Sequence, residues 1–148
     1  MRKVLIILSI AFLFISCDTE SMSNKNLLIG TWEDTWTDDE GHPLKEVYTF
    51  TENDFIYYFD GFKKQYETEY PYNLIGIIPV NTTHEGTYQI DNLYLTFTIN
   101  KIESSDLQTI PELPIISSPI EYKVTMNELT LIIPRGTSTI TAIYKKIN

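Results

Sequence analysis

The chain has 148 residues, a formal net charge of −9 at pH 7 and a single cysteine. A surface this acidic is a poor partner for the phosphate backbone of nucleic acids, and one cysteine excludes an intramolecular disulfide. The length suits one domain, and the aromatic residues lie in segments of alternating polarity, which favours an all-β fold.

The N-terminus has the layout of a signal peptide. Arg2 and Lys3 precede an almost wholly apolar stretch, residues 4–15, that is broken only by Ser9. This order of a basic region and an apolar region is typical of secretory signals. The stretch is shorter than the roughly 20 apolar residues that a membrane-spanning helix needs. We therefore predict a signal peptide over residues 1–16, whose removal makes the chain two charges more negative.

The only cysteine follows the apolar stretch directly, in Phe14-Ile15-Ser16-Cys17. This sequence resembles the lipobox of bacterial lipoproteins. The resemblance implies cleavage before Cys17 and acylation of its thiol and freed amine, and two or more acyl chains hold a protein durably at a membrane. The alternative is an ordinary secretory peptide with a chance or buried cysteine.

The residues around the cysteine also bear on location. Residues 17–26 are polar and aperiodic, which predicts a flexible tether. We expect the cell envelope as the location, with the membrane as a partner through the lipid. Asp18 directly after the cysteine resembles an inner-membrane retention signal of some bacteria, whereas acidic residues in such tethers resemble surface-export signals of others. The outer membrane is the favoured location.

From residue 27 to the end, the hydrophobic period is near two, with no convincing helical stretch. The predicted strands cover residues 28–37, 44–51, 55–59, 63–72, 83–90, 93–100, 120–126, 129–134 and 137–147. Short polar connections such as Asp60-Gly61 and Asp91-Asn92 predict hairpins, which make neighbouring strands antiparallel. One apolar side then favours a single up-and-down β-barrel of about eight to ten strands, with a two-sheet sandwich as the alternative.

Two segments interrupt the alternation. Residues 74–80 form an apolar run with Gly76 and Pro79, and residues 102–119 form a long connection rich in proline. Connections of such length are uncommon and often functional. We predict both as lids or rim elements of the barrel domain, which spans residues 27–148.

Several short motifs resemble the landmarks of the lipocalin-like domain of Gram-negative lipoproteins. The motifs are Leu27-Leu28-Ile29-Gly30-Thr31-Trp32, Glu85-Gly86-Thr87-Tyr88, Asn92-Leu93-Tyr94-Leu95-Thr96 and Thr141-Ala142-Ile143-Tyr144-Lys145-Lys146. The resemblance implies that Trp32, after Gly30, plugs the closed end, and that Lys145 or its neighbour Lys146 packs over the ring. It also implies an open end with a cavity for a small molecule.

The interior tyrosines suggest a binding function. Phenolic hydroxyls let a mostly apolar pocket orient a ligand. The candidate ligand-binding residues are Tyr57, Tyr66, Tyr70 and Tyr88. The sequence therefore predicts a monomeric barrel that binds a small apolar or amphipathic ligand. The alternative is a protein-interaction module, such as a protease inhibitor, that acts through residues 74–80 and 107–119.

No pattern indicates catalysis, a cofactor or a metal. The only histidines are His42 and His84, and no Gly-x-Ser-x-Gly motif or zinc-ligand spacing is present. The turn Asp38-Asp39-Glu40 with His42 lacks the spacing of a calcium loop and reads as a solvated acidic turn. Glu67 and Glu69 share a strand face and are expected to point to water. We predict that the protein is not an enzyme and needs no cofactor.

Overall fold

The computed structural model describes residues 19–66, 74–106 and 113–147. Within these ranges, one helix and nine strands follow one another. They are α1 (Thr19–Leu28), β1 (Gly30–Thr37), β2 (Pro43–Phe50), β3 (Asp54–Tyr66), β4 (Leu74–Asp91), β5 (Tyr94–Ser104), β6 (Ile115–Ile116), β7 (Ile120–Val124), β8 (Glu128–Arg135) and β9 (Ser138–Ile147). The predicted signal peptide and Cys17 lie outside the described residues.

The strands form a closed barrel. Eight of them, all except β6, pair in an antiparallel ring in which β4 joins β5 and β9 joins β1. The two-residue strand β6 adds to the edge of β5. This arrangement confirms the predicted single antiparallel barrel, and closure leaves no exposed edge around the ring. The fold is therefore a barrel and not the alternative, a sandwich of two packed sheets.

The barrel interior is filled largely by aromatic and aliphatic side chains. Because side chains alternate across a strand, every second residue of each strand points inward. The buried core consists of Leu28, Trp32, Phe50, Phe55, Tyr88, Leu95, Phe97, Tyr122, Leu129, Leu131 and Tyr144. Rings of Tyr48, Phe50 and Phe97 lie within 5.7–6.1 Å of one another. The half of the barrel around Trp32 is therefore solid.

Helix α1 covers the end of the barrel at which β1 begins. Its last residue, Leu28, is completely buried, and the Lys25 ammonium lies 3.5 Å from the side chain of Asn53 in the β2–β3 turn. The structure thus has a helix from Thr19 onward, within residues 17–26, where the sequence predicted a flexible tether. The helix has no amphipathic pattern, and burial of Leu28 in the barrel holds its end. Within the described ranges, no helix is long and apolar enough to cross a bilayer.

The hairpin of β3 and β4 is longer than the alternation predicted. Asp60 and Gly61 continue β3 instead of forming a turn, and residues 74–80 belong to β4 instead of forming a lid. At Gly61 a Cβ atom would lie 2.4 Å from the ring of Phe59 and 2.6 Å from Leu44. Glycine is therefore needed here for close packing against Phe59 and Leu44. In the sequence, an Asp-Gly pair with this role looks the same as an Asp-Gly pair that forms a turn. Part of the predicted strand 63–72 lies outside the described residues.

The long connection after β5 is partly a strand. Residues 102–104 extend β5, and β6 and β7 together lie along β5 as one interrupted strand. Between them, the backbone N–H of Phe97 donates to Ser117 Oγ at 2.9 Å. Within the predicted rim element, residues 102–104 and 115–116 are thus strand, and residues 107–112 lie outside the described residues.

Candidate functional site at the open end of the barrel

Trp32 closes the end of the barrel next to α1. Its indole N–H donates to the carbonyl of Leu28 at 2.7 Å, and its side chain is fully buried. The ammonium of Lys146 lies 4.9 Å from the ring centroid and donates to the carbonyl of Ile29 at 2.9 Å. Gly30 has φ +135°, and a Cβ atom there would lie 2.7 Å from Lys146 Cε. Glycine at this position thus makes room for the lysine.

Lys145, which the sequence analysis named as the residue over Trp32, does not pack there. In the register of β1 with β9, Trp32 is opposite Lys146, whereas Glu33 is opposite Lys145. Consecutive residues of a strand point to opposite faces. The ammonium of Lys145 is therefore on the outer surface, where it pairs with Glu128.

The two candidate tyrosines whose side chains are described, Tyr57 and Tyr88, do not lie in one site. Tyr88 is buried near the closed end, and its hydroxyl donates to the carbonyl of Thr51 at 2.8 Å. Tyr66 is the last residue of β3, opposite Leu74, and its side chain lies outside the described part of the chain, as does Tyr70. Tyr57 is half-buried inside the barrel. Of the four, Tyr57 alone has a described side chain that reaches the open half.

A carboxylate that the sequence reading missed lies beside Tyr57. Glu46 accepts hydrogen bonds from the hydroxyls of Tyr57 at 2.9 Å and of Tyr144 at 2.6 Å. Burial, with the nearby negative charge of Glu46, raises the pKa of Tyr57 well above its usual range, and burial is also the main cause of a raised pKa at Tyr144. Both phenols therefore remain protonated and donate to the carboxylate. The signal was the spacing of two from the inward-facing Tyr48, which places Glu46 inside.

An open cavity of about 390 Å³ lies at this end of the barrel, opposite the Trp32 plug. Its walls combine apolar side chains with two carboxylates. The lining residues are Asp34, Trp36, Glu46, Ile133, Ile140, Thr141 and Ala142. Asp34 is directly opposite Glu46 in the β1–β2 register. Among the described residues, no lysine or arginine forms an ion pair with either.

A neutral histidine lies deeper on the opposite wall. The ring of His84 is 5.3 Å from that of Tyr57. Burial lowers the pKa of His84 from 6.5. The imidazole therefore adds no positive charge to this interior at neutral pH, and the carboxylates dominate the electrostatics of the open half.

The acidic turn at the rim is ordered by its own hydrogen bonds. Asp38 accepts from the backbone N–H groups of Glu40 and His42, both at 2.9 Å, and contacts His42 Nδ1 at 3.0 Å. These bonds lower the pKa of Asp38. Ligand atoms of the three side chains lie within 4.8 Å of one another. The geometry nevertheless matches a turn that is held by the hydrogen bonds of its own Asp38. The other acidic candidates, Glu67 and Glu69, lie outside the described residues.

A second cleft, of about 430 Å³, lies on the outer wall of the barrel. Thr49, Ile56 and Thr87 line it, and each of these residues alternates with an inward-facing neighbour. Gly86 lies in the same cleft, at the irregularity where β4 and β5 approach closely. The core residue Phe55 also lines this cleft, which shares no residue with the open cavity. The cavity at the open end joins apolar walls to the partly buried carboxylates of Asp34 and Glu46.

Comparison with protein-family models found no matching family, and comparison with curated proteins found no matching sequence. The family resemblance therefore rests on the sequence motifs, and the binding proposal rests on the barrel and its open cavity.

Proposed function

We propose that the chain is a lipid-anchored, lipocalin-like lipoprotein of the bacterial outer membrane whose barrel binds a small amphipathic molecule at its open end. The observation that carries the binding proposal is the open cavity in which Asp34 and Glu46 face apolar walls. The lipobox-like Phe14-Ile15-Ser16-Cys17 supports the anchor.

The two carboxylates favour a ligand with a positive charge. Like charges directly opposite on one face of an antiparallel pair repel each other. Asp34 and Glu46 have this relation and are only partly exposed, so solvent screens them less than a surface pair. A cationic group between them would remove the repulsion and form charge-assisted hydrogen bonds.

The remaining walls favour an apolar body attached to that group. Ile133, Ile140 and Ala142 come from the β8–β9 hairpin and form one side of the cavity. Trp36 adds an indole ring, 38% exposed, at the mouth. Apolar walls with a few fixed polar groups are typical of small-molecule sites. The arrangement thus suits an alkyl or aryl amine better than a fatty acid.

Three ten-carbon probes test this proposal by isothermal titration calorimetry. The probes are decylammonium, decanoate and decanol, each below its micellar concentration. The protein begins at residue 18, so that every residue described here is retained. We expect one site for the cation and much weaker binding of decanoate, because the carboxylates repel it.

Matched substitutions locate the site. Glu46→Gln is expected to weaken binding of the cation about tenfold, which corresponds to about 1.4 kcal/mol, with little effect on decanol. Glu33→Gln removes a carboxylate from the outer face next to Asp34 and is expected to change neither. Equal binding of decanoate and the cation, or no binding of any probe, would contradict the proposal.

The β3–β4 hairpin supports a second candidate function, contact with a protein partner. Pairing of β3 with β2 ends at Asp60, and pairing of β4 with β5 begins at Thr82. Of the described residues beyond these points, Asn81 still bonds to Ser105, and the others pair in the sheet only with each other. They expose Phe62 and Ile77. Exposed strand edges recruit strands of other proteins. A photo-crosslinking residue at position 62 in intact cells should then trap a partner, and one at position 39 should not.

A further inference from the structure

Exposed apolar side chains collect on one side of the closed end. We define the apolar crescent as Ile29, Leu93, Met126 and Ile147. Met126 is 75% exposed, Leu93 47%, Ile147 41% and Ile29 36%. Single exposed apolar residues are ordinary on a protein surface, whereas a contiguous group marks a contact site.

Hydrogen bonds between neighbouring strands and turns show that these residues share one rim. The N–H of Lys146 donates to the carbonyl of Asn127, which joins the end of β9 to the β7–β8 turn beside Met126. The N–H of Tyr122 donates to the carbonyl of Leu93. Ile147 is opposite Thr31, two residues after Ile29. The crescent therefore follows β1, β9, β8 and β7 around the closed end.

The other side of the same rim is acidic. Glu52 and Asp54 lie in and beside the β2–β3 turn, and Asp91 ends β4. The closed end is therefore divided into the apolar crescent, which Asp91 and the Glu128–Lys145 ion pair border, and the acidic β2–β3 turn. Such a division gives the barrel a preferred side toward an apolar environment.

The predicted anchor reaches the protein at this end. Helix α1 begins at Thr19, two residues after Cys17, and its other end is buried beneath Trp32. Two residues span at most about 7 Å, and a helix of ten residues is about 15 Å long. The anchor point is therefore within about 22 Å of the plug and belongs to the closed end.

From this placement we propose that the closed end docks on the bilayer through the apolar crescent, so that the open cavity points away from the membrane. The proposal rests on acylation of Cys17, which is part of the proposed function. Because the chain is acidic, anionic headgroups do not attract it. The contact consists of apolar side chains that enter the interfacial region, held there by the acyl chains.

The test uses the full-length chain, expressed in bacteria and reconstituted into phosphatidylcholine vesicles after mass spectrometry of its acyl groups. Acylation blocks Cys17, so a new cysteine can carry an environment-sensitive bimane label. Asn127→Cys places the label in the β7–β8 turn of the crescent, and Thr137→Cys places it in the exposed β8–β9 turn at the open end. We expect a blue-shifted emission and quenching by brominated lipids at position 127 only.

A further substitution separates docking from simple proximity. Met126→Glu in the Asn127→Cys background should shift the label back to water, because it places a charge in the crescent. Met126 is largely exposed, so the variant should keep the thermal stability of the parent. Leu93→Ser is a second variant with the same expected direction and no added charge.

Three results would overturn the docking. They are an acylated protein with both labels in water, an acylated protein with both labels in lipid, and retention of the blue shift in the Met126→Glu and Leu93→Ser variants. The absence of acyl groups from the purified chain would instead refute the anchor, and the docking would fall with it.

Discussion

Replacing Lys146 with methionine tests how the closed end of the barrel is held. Methionine keeps an unbranched apolar stem beside Gly30 but removes the ammonium over Trp32. The cation–π contact contributes about 0.5–2 kcal/mol. The hydrogen bond to the carbonyl of Ile29, 2.9 Å long, contributes about 1.5 kcal/mol because its donor is charged. Since Lys146 is only partly buried, we expect a total loss of about 2 kcal/mol.

Urea denaturation of the chain that begins at residue 18 measures this loss. The midpoint should fall while the slope stays constant, because the surface exposed on unfolding is unchanged. For a domain of this size, about 3 °C of melting temperature corresponds to each kcal/mol, so the thermal midpoint should fall by about 6 °C.

Lys145→Met is the matched control, since it removes the adjacent ammonium from the outer surface. Its ion pair with Glu128 is solvent-exposed, 67% at the lysine side chain, and such pairs are worth at most about 1 kcal/mol. If Lys145→Met cost as much as Lys146→Met, the account of the plug would be refuted.

Three further substitutions test other parts of the structure. Gly86→Ala should destabilise the fold by about 3 kcal/mol in denaturant titrations, because its Cβ atom would lie 1.9 Å from the carbonyl oxygen of Thr98. Tyr144→Phe should lower the free energy of unfolding by about 1.5–3 kcal/mol, because it removes the hydroxyl that donates to Glu46. Burial lowers the pKa of His84 from 6.5, so the unfolded chain binds a proton more readily and stability should fall as pH drops below about 6.5. Urea midpoints at pH 7.5 and 5.5 should show a smaller decline in His84→Gln.

Controls for these substitutions come from exposed positions. Gly41→Ala meets open space but has a positive φ of 87°, so it should cost only about 1 kcal/mol. Tyr94→Phe changes a tyrosine that is 46% exposed and should be nearly neutral. A tolerated Gly86→Ala, a neutral Tyr144→Phe or an unchanged pH dependence in His84→Gln would each contradict the corresponding contact.

The alternation of polarity was sufficient to predict the barrel but not the ends of its strands. A period of two specifies which residues face inward, and it identified β1, β2, β8 and β9 closely. The alternation did not predict that β3 continues through Gly61. A glycine next to an aspartate is typical of a turn, but it also occurs where neighbouring side chains leave no space for a Cβ atom. The alternation did not predict α1 either, since the helix depends on the tertiary burial of Leu28.

The candidate site was harder to predict, because the inward-facing residues were assigned from aromatic and aliphatic side chains alone. Glu46 lies two residues before Tyr48, so the same alternation that placed the tyrosine inside also placed the glutamate there. The resemblance left open whether Lys145 or Lys146 packs over Trp32, and Lys145 was named as the candidate. Only the register with β1 decides which lysine meets Trp32.

The interruption between β6 and β7 has a consequence for how the barrel moves. Opposite β5, Pro119 has no amide hydrogen, and the N–H of Phe97 donates to the side chain of Ser117, while the carbonyl of Phe97 accepts from the Ser117 N–H at 2.9 Å. Because the backbone ladder is interrupted along this line, we expect its amides to exchange with solvent before those of the other strand pairs. Transient separation of β5 from β6 and β7 would let a bulky ligand enter the interior through the barrel wall instead of through the open end.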